Sequence, residues 1–552
     1  MNIIEKLPNI AAEDFIIDYL QSCGVEDIQE FIKPTGKWVE PCEYYIDKNT
    51  YEQWCNYFNE LVYNLHDKDK IYIVCDCDCD GICSATISYK YLRHIGISEE
   101  NIVVLFHTSK QHGLSKDIMT QIKDDCILLW IPDAGSNDMV QCQEITSRTG
   151  CQILITDHHQ YENHSLKNVT IISNQLPYIQ NKALSGSGVT FKFVSAMCKY
   201  KNDIWYNTQV DLVMLGNLAD VMDMSSMENR CFNYFGLRAI TNEFLIELCN
   251  EFCPKNITPK DIVWGISPKI NAVFRSDNQQ LKKDMFWAFV GENKDYSNII
   301  SQMKTQHNRQ KNESNKIYRN IIEQECENND KILIKFCDET SYTGLVANKL
   351  MEYYNKPVFL VHNNGQSCFG SCRSLFPIRE QLIDSGCVQF AQGHDTVFGL
   401  AFDSNKIEDL IQWIKELDLP SEPKIDVVHS FDANLIPQKL YYISKDFNEL
   451  WGHGVEEPLY HIHNITINSK DIQLLGANKT TIKFNYKGVD YIKFFANDNI
   501  KSDFKVGEDK KITIEIVGKL QINEWRGSES KQVLIEKYEV TDKAIMKLED
   551  LW

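Results

Sequence analysis

Nowhere in its 552 residues does the sequence contain an apolar run approaching the ~20 residues that a bilayer-spanning helix requires. A membrane-spanning helix is therefore not expected, and the 43% hydrophobic content is that of packed globular cores. The first twenty residues carry Glu5, Lys6, Glu13, Asp14 and Asp18, a pattern at odds with a secretion signal. No internal repeat or low-complexity segment is present. Basic residues are in deficit: 57 Lys+Arg face 77 Asp+Glu, for a formal net charge of -20. That deficit argues against nonspecific coating of nucleic acid, because phosphate binding draws on Lys and Arg. It does not exclude a nuclease, since clustered carboxylates can be neutralised by divalent cations and a local basic groove can sit on an acidic protein. The deficit is concentrated before Glu422, and the remainder is nearly neutral.

What the sequence has in quantity is cysteine, 19 in all. Without a secretion signal these are expected to be reduced thiols in a cytoplasmic compartment. Cys75, Cys77, Cys79 and Cys83 crowd together and invite a zinc reading. Continuing the strand through them would turn the cysteines to one face and the intervening aspartates to the other, so buried apolar thiols are the simpler account.

The length predicts three or four domains. Short apolar runs at Ile71–Val74, Ile102–Phe106, Ile127–Ile131, Ile153–Ile155 and Val169–Ile172 alternate with helix-like segments, the rhythm of a parallel α/β sheet. The polar, Pro- and Gly-free stretch from Tyr296 to Cys326 predicts a long helix. A second α/β rhythm runs from Lys331 to about Phe402, and beyond Pro423 alternating strands predict a small β-barrel of OB type. The fold class expected is α/β, with two α/β domains joined by a long helix and followed by a β-rich OB-like domain. The expected boundaries are 1–230, a helical connector 231–326, 327–415 and 416–552.

Four clusters carry the chemistry. Asp76-Cys77-Asp78-Cys79-Asp80-Gly81 puts three carboxylates at alternate positions after a strand, where they repel unless cations or protons intervene. A calcium loop also begins D-x-D-x-D-G, but Ile87 stands where its bidentate Glu would be. Asp133 opens the turn Asp133-Ala134-Gly135-Ser136 after a second strand, which alone reads as ordinary helix capping. Asp157-His158-His159 follows a third strand, a ligand set suited to manganese, iron or zinc. Asp220 follows an apolar helical stretch within the amphipathic segment Gln209–Met224, where a solvated helix end is the bland alternative.

In this order the clusters resemble motifs I to IV of the DHH phosphoesterases. The stretches His112-Gly113-Leu114-Ser115, Leu184–Lys192 and Pro268–Arg275 are similar to segments of the RecJ exonucleases within that family. Thr343–Leu350, Gly370–Ser374 and Gln392–Gly399 resemble the accompanying DHHA1 domain, with Gln392, Val397 and Phe398 departing from its small-residue pattern. Phe398 is expected to narrow or reshape a substrate groove. Trp451–Gly454 and Asn523–Gly527 resemble parts of the RecJ OB-fold.

The resemblance implies two divalent ions, Mn²⁺ or Mg²⁺, held by Asp76, Asp78, Asp80, Asp133, His158 and Asp220, with Asp157 and His159 as direct or supporting ligands. Asp133 is the bridging candidate. It further implies that His394 assists catalysis, that Arg275, Ser371 and Arg373 hold phosphates, and that Trp525 stacks on bases, with Arg379, Tyr491 and Phe494 weaker candidates. The function implied is 5′-to-3′ digestion of single-stranded DNA to mononucleotides in recombination and repair, with single-strand-binding protein or replication and repair factors as partners. The rivals are a DHH phosphodiesterase of short oligonucleotides or cyclic dinucleotides, and a catalytically silent replication scaffold.

Overall fold

The computed structural model describes residues 1–7, 15–39, 46–162, 165–177, 179, 181–254, 256–323, 331–420, 424–476, 478–525 and 527–541. The chain divides into two compact units, one of residues 4–304 with 426 onward, the other of residues 1–3 with 305–425.

The first unit is built on strands β1 (Lys70–Cys75), β2 (Ile102–Phe106), β3 (Cys126–Pro132), β4 (Gln152–Asp157) and β5 (Val169–Ser173). Their spatial order is β2-β1-β3-β4-β5, and every neighbouring pair is parallel. A parallel sheet is covered on both faces, which is why these strands read as continuous apolar runs. Alternate residues feed two cores. Ile71, Ile73, Cys75, Leu128, Trp130 and Leu154 face one; Tyr72, Val74, Leu129, Ile131, Ile153 and Ile155 face the other. Helices α1 (Cys79–His94), α2 (Gly186–Tyr200) and α3 (Val210–Ala219) cover the first of these faces, and α4 (Met227–Arg238) packs against α3.

Two expected boundaries need correction. The segment 231–326 is not a separate connector at its start: α5 (Ser267–Phe274) and α6 (Gln279–Val290) bury Ile270, Phe274, Met285 and Phe289 in the same core as the parallel sheet. The residues before the sheet do not all belong with it either. Phe15, Leu20 and Phe31 share a core with the C-terminal strands, because each is an apolar anchor of a short helix too small to bury its own face.

Those C-terminal strands form one sheet. It comprises β11 (His429–Asp432), β12 (Tyr460–Asn468), β13 (Gln473–Leu475), β14 (Thr481–Tyr486), β15 (Val489–Lys493), β16 (Lys511–Trp525) and β17 (Ser528–Thr541), in the order β11-β12-β16-β17-β15-β14-β13. The long hairpin β16–β17 bends at a register shift between Val517 and Gly518.

In the second unit, β6 (Leu333–Phe336), β7 (Val358–Asn363), β8 (Ser367–Arg373), β9 (Phe390–His394) and β10 (Val397–Asp403) take the order β9-β10-β8-β7-β6, with only β6 and β7 parallel. Helix α8 (Thr343–Tyr354) lies on β7 and β8. The predicted long helix is α7 (Tyr296–Ile322), whose Ile299 and Met303 join the first unit's core and whose Ile317 and Ile321 join the second's. Phe398 corrects an expectation: it is 2% exposed, in the core with Phe359, because its strand register turns it inward. It lines no groove surface.

Candidate metal centre

Asp76, Asp133 and Asp157 stand at the carboxyl ends of β1, β3 and β4, the edge of an open parallel sheet where ligands gather. The aspartates of the first cluster do not alternate along one strand as expected. β1 stops at Cys75 and α1 starts at Cys79, so Asp76 ends the strand, Asp78 caps the helix by accepting from Gly81 N at 3.2 Å, and Asp80 sits in its first turn. The three carboxylates converge through this turn, at the electropositive end of α1. Gly81 permits the approach: a Cβ there would stand 2.7 Å from Asp76 Cβ. Burial pushes the thiols of Cys75, Cys79 and Cys83 up, which keeps them protonated and unsuited to zinc.

Asp80 is gripped by the start of α2, accepting from Gly186 N at 2.6 Å and Ser187 N at 3.1 Å. A Cβ on Gly186 would overlap the Asp133 carboxylate, and one on Gly216 would overlap Asp80 Oδ1. Asp133 has left-handed backbone, φ 68°, and its amide donates to Thr156 O at 2.8 Å. Asp133 is 3% exposed, and its Oδ1 has no hydrogen-bond partner among the described residues. Burial, followed by the charges of Asp80, Asp78, Asp76 and Asp220, holds this carboxyl well above the usual range. Asp220, capping the end of α3, is pushed the same way by burial and by Asp80 and Asp78.

The Asp157 oxygens are fully engaged. Oδ2 accepts from Ser136 Oγ at 2.6 Å, and Oδ1 accepts from His158 N at 2.7 Å and lies 2.7 Å from His159 Nδ1. Burial alone would raise its carboxyl, but His159, His158 and the Ser136 bond override it and hold it well below the usual range. The residue orients its neighbours. His158 Nε2 lies 3.4 Å from Asp133 Oδ1 and 3.5 Å from Asp220 Oδ2. Burial and the adjacent His159 keep its imidazole below the ordinary value, in the neutral form that ligates metals. Against its own burial, His159 is raised to about 9 by Asp157.

Among the described residues, donor atoms within 4.8 Å of one another form four overlapping groups: Asp76/Asp78/Asp133 and Asp80/His158/Asp220 are the two donor sets, Asp133/His158/His159 links them, and Asp76/Cys77/His112 adjoins the first. Carboxylate oxygens with one neutral imidazole suit a hard to borderline divalent ion. The orphaned, buried Asp133 Oδ1 is a second indication that a cation belongs here.

Several residues at this edge were not singled out for such roles in the sequence. His112 Nδ1 is 2.6 Å from Asp76 Oδ2, and buried His107 Nε2 is 3.4 Å from Asp76 Oδ1. Asn271 accepts from Cys79 N at 2.8 Å. His107 directly follows β2, so the strand-end rule that found the aspartates applies to it as well. Arg275, expected to hold phosphate, reaches this centre: its Nη2 is 3.3 Å from Asp78 Oδ2, and its buried Nε has no hydrogen-bond partner among the described residues.

In the second unit, Ser371 Oγ is 2.9 Å from Thr343 Oγ1 at the start of α8, and Gly344 leaves room for the Arg373 guanidinium, 2.6 Å from where its Cβ would be. His394 ends β9, exposed. Arg379 pairs with Asp395 at 3.2 Å. Tyr491 is core, stacked on Phe484 at 5.1 Å, whereas Phe494 is half exposed. The Trp525 side chain lies outside the described residues.

The sequence profile of the DHH family, N-terminal domain, matches residues 70–217, and that of the RecJ OB domain matches residues 431–537. The SPbeta prophage-derived protein YorK of Bacillus subtilis (strain 168) is 29% identical over 520 residues, covering 87% of this chain and 89% of its own. The single-stranded-DNA-specific exonuclease RecJ of Haemophilus influenzae is 25% identical over 533 residues, covering 88% and 90%. Among solved structures, RecJ of Thermus thermophilus in complex with Mn²⁺ superposes with a TM-score of 0.75 at 18% identity, over 98% of this chain and 79% of that one. Residues 70–217, which carry all the metal donors but Asp220, thus form a DHH-family N-terminal domain, and residues 431–537 a RecJ OB domain.

Proposed function

We propose that this chain is a metal-dependent exonuclease that hydrolyses single-stranded DNA from the 5′ end to mononucleotides, in recombination and repair. The observation that carries the reading is Asp133, buried among four other carboxylates with an oxygen that has no hydrogen-bond partner among the described residues. Two divalent ions bound to the two donor sets, Mn²⁺ or Mg²⁺, would activate water, polarise the phosphoryl group and stabilise the leaving 3′ oxygen. The chain's own residues have separate tasks. Asp133 and His158 join the two sets, Asp157 fixes both histidines, and His159, cationic at neutral pH, can donate a proton or hold a phosphate oxygen. Arg275 offers a fork beside Asp78 for the phosphate next to the cleaved bond. Ser371, Thr343 and Arg373 surround the N-terminus of α8, a ready site for a terminal 5′ phosphate. His394 is assigned to the scissile phosphate and Trp525 to base stacking. The relatives named for single-stranded DNA support the substrate.

The test is digestion of single-stranded DNA labelled at either end, with Mn²⁺, beside Asp133→Ala. Mononucleotides released first from the 5′ label, by wild type only, are the expected result. Equal inactivity of both proteins would mean a scaffold, and faster turnover of dinucleotides a small-substrate phosphodiesterase.

A further inference from the structure

Asp220 is the one donor of the centre that comes from the C-terminal end of a helix, and the loop that follows it is tied to the OB domain. After α3 the chain turns through Val221, in left-handed backbone at φ 56°. Four residues beyond Asp220, buried Met224 donates its amide to His453 O at 2.7 Å. His453 belongs to a tight turn closed by reciprocal bonds between Gly452 and Val455, at 3.0 and 3.2 Å. Both glycines of this turn press on the Asp220 loop. A Cβ on Gly452 would lie 2.6 Å from Met224 Cγ, and one on Gly454, at φ 81°, would overlap Asp223 Oδ1, which is already committed to Ser225 N at 2.8 Å.

Helix α4 clamps the same loop from behind. Asn229 Nδ2 donates to Asp223 O at 2.9 Å and to Ala183 O at 2.6 Å, joining the Asp220 loop to the segment that leads into the Asp80 cradle at Gly186 and Ser187. From the next position Arg230, buried, donates to Glu449 O at 3.1 Å, just before the OB turn.

We infer that the Trp451–Val455 turn of the OB domain is a positioning element of the metal centre: it sets where Asp220 stands, so that the OB domain governs metal uptake as well as contact with a long strand. This rests on the metal reading proposed above. A turn that served only DNA would have no need of two glycines packed against the loop of a metal donor.

The experiment is calorimetric titration of metal-free protein with Mn²⁺, in the absence of DNA, on folded samples checked by circular dichroism. Gly454→Ala is expected to bind Mn²⁺ at least tenfold more weakly than wild type. Adding Asp223→Gly, which removes the carboxylate that the new Cβ meets, should restore most of that affinity, a rescue that general destabilisation does not give. Should Gly454→Ala not fold, Gly452→Ala with Met224→Ala as its rescue makes the same comparison. Unchanged Mn²⁺ affinity in the folded glycine variant, or a loss that its rescue leaves untouched, overturns the inference. Absence of Mn²⁺ binding by wild type would instead sink the metal reading beneath it.

Discussion

Removing the Asp133 charge should stabilise the metal-free protein. Two carboxylates about 5 Å apart repel by about 3 kcal/mol at an effective dielectric of ~20, and Asp133 faces Asp80, Asp78, Asp76 and Asp220 from a buried position. Without metal it escapes most of this by binding a proton. Its value in the folded chain thus lies above the ordinary 3.8, so the metal-free chain has its full stability below that pH and loses it as pH rises through the raised value. Asp133→Asn removes the loss. At pH 8 in a chelator, the variant should be more stable than wild type by about 1–3 kcal/mol, a gain of several degrees in melting temperature at roughly 2–4 °C per kcal/mol. Adding Mn²⁺ at a thousand times its Kd should reverse the order, since wild type gains about 4.1 kcal/mol and the variant little. Thermal melts from pH 4.5 to 8, with chelator and with Mn²⁺, measure both effects. A metal-free variant that melts at or below wild type at pH 8 would refute the account of Asp133 as a repelled, cation-seeking carboxylate.

Asp157→Asn should release His159, whose pKa then falls from about 9 toward the ordinary 6.5, read by NMR titration of the ring. The stability that the charged pair contributes in wild type is fully present between the ordinary carboxyl value of 3.8 and the ordinary imidazole value of 6.5 and fades as pH rises through about 9, so the stability gap between the two proteins should close on that alkaline limb. Arg275→Lys, which keeps the charge but loses the fork, should raise KM for single-stranded DNA roughly tenfold or more, as loss of a charge-assisted bond of about 1.5–3 kcal/mol implies. Gly186→Ala should abolish activity in a folded protein, because its Cβ needs the space of the Asp133 carboxylate.

The parallel sheet was legible because doubly covered strands are apolar along their whole length: Ile102–Phe106 was delimited to the residue, and β1, β3 and β4 to within a residue or two at each end. Asp76, Asp133 and His158 gather at one edge for the same reason, since strand ends are where apolar runs give way to Asp and His, whereas Asp78 and Asp80 come from the start of α1 and Asp220 from the end of α3. What could not be read was local geometry that depends on partners far along the chain. The shift from strand to helix between Asp76 and Cys79 depends on Asn271, which accepts from the Cys79 amide, and no spacing within the cluster reveals that. Phe398 looked like a groove residue because the DHHA1 pattern that it resembles has a small residue there, yet register turns it into the core. The N-terminal helices carry too few residues to disclose which core they enter.

The strand order β2-β1-β3-β4-β5 also has a consequence in time. Its central pair β1 and β3 is separated by the whole excursion through β2, and the donors run from Asp76 to Asp220, so neither donor set can close until several crossovers have been completed. Contacts of such long sequence separation form slowly. Helical signal should therefore return early in refolding and manganese capture last, which makes the bound ion a stopwatch for the final closure of the sheet.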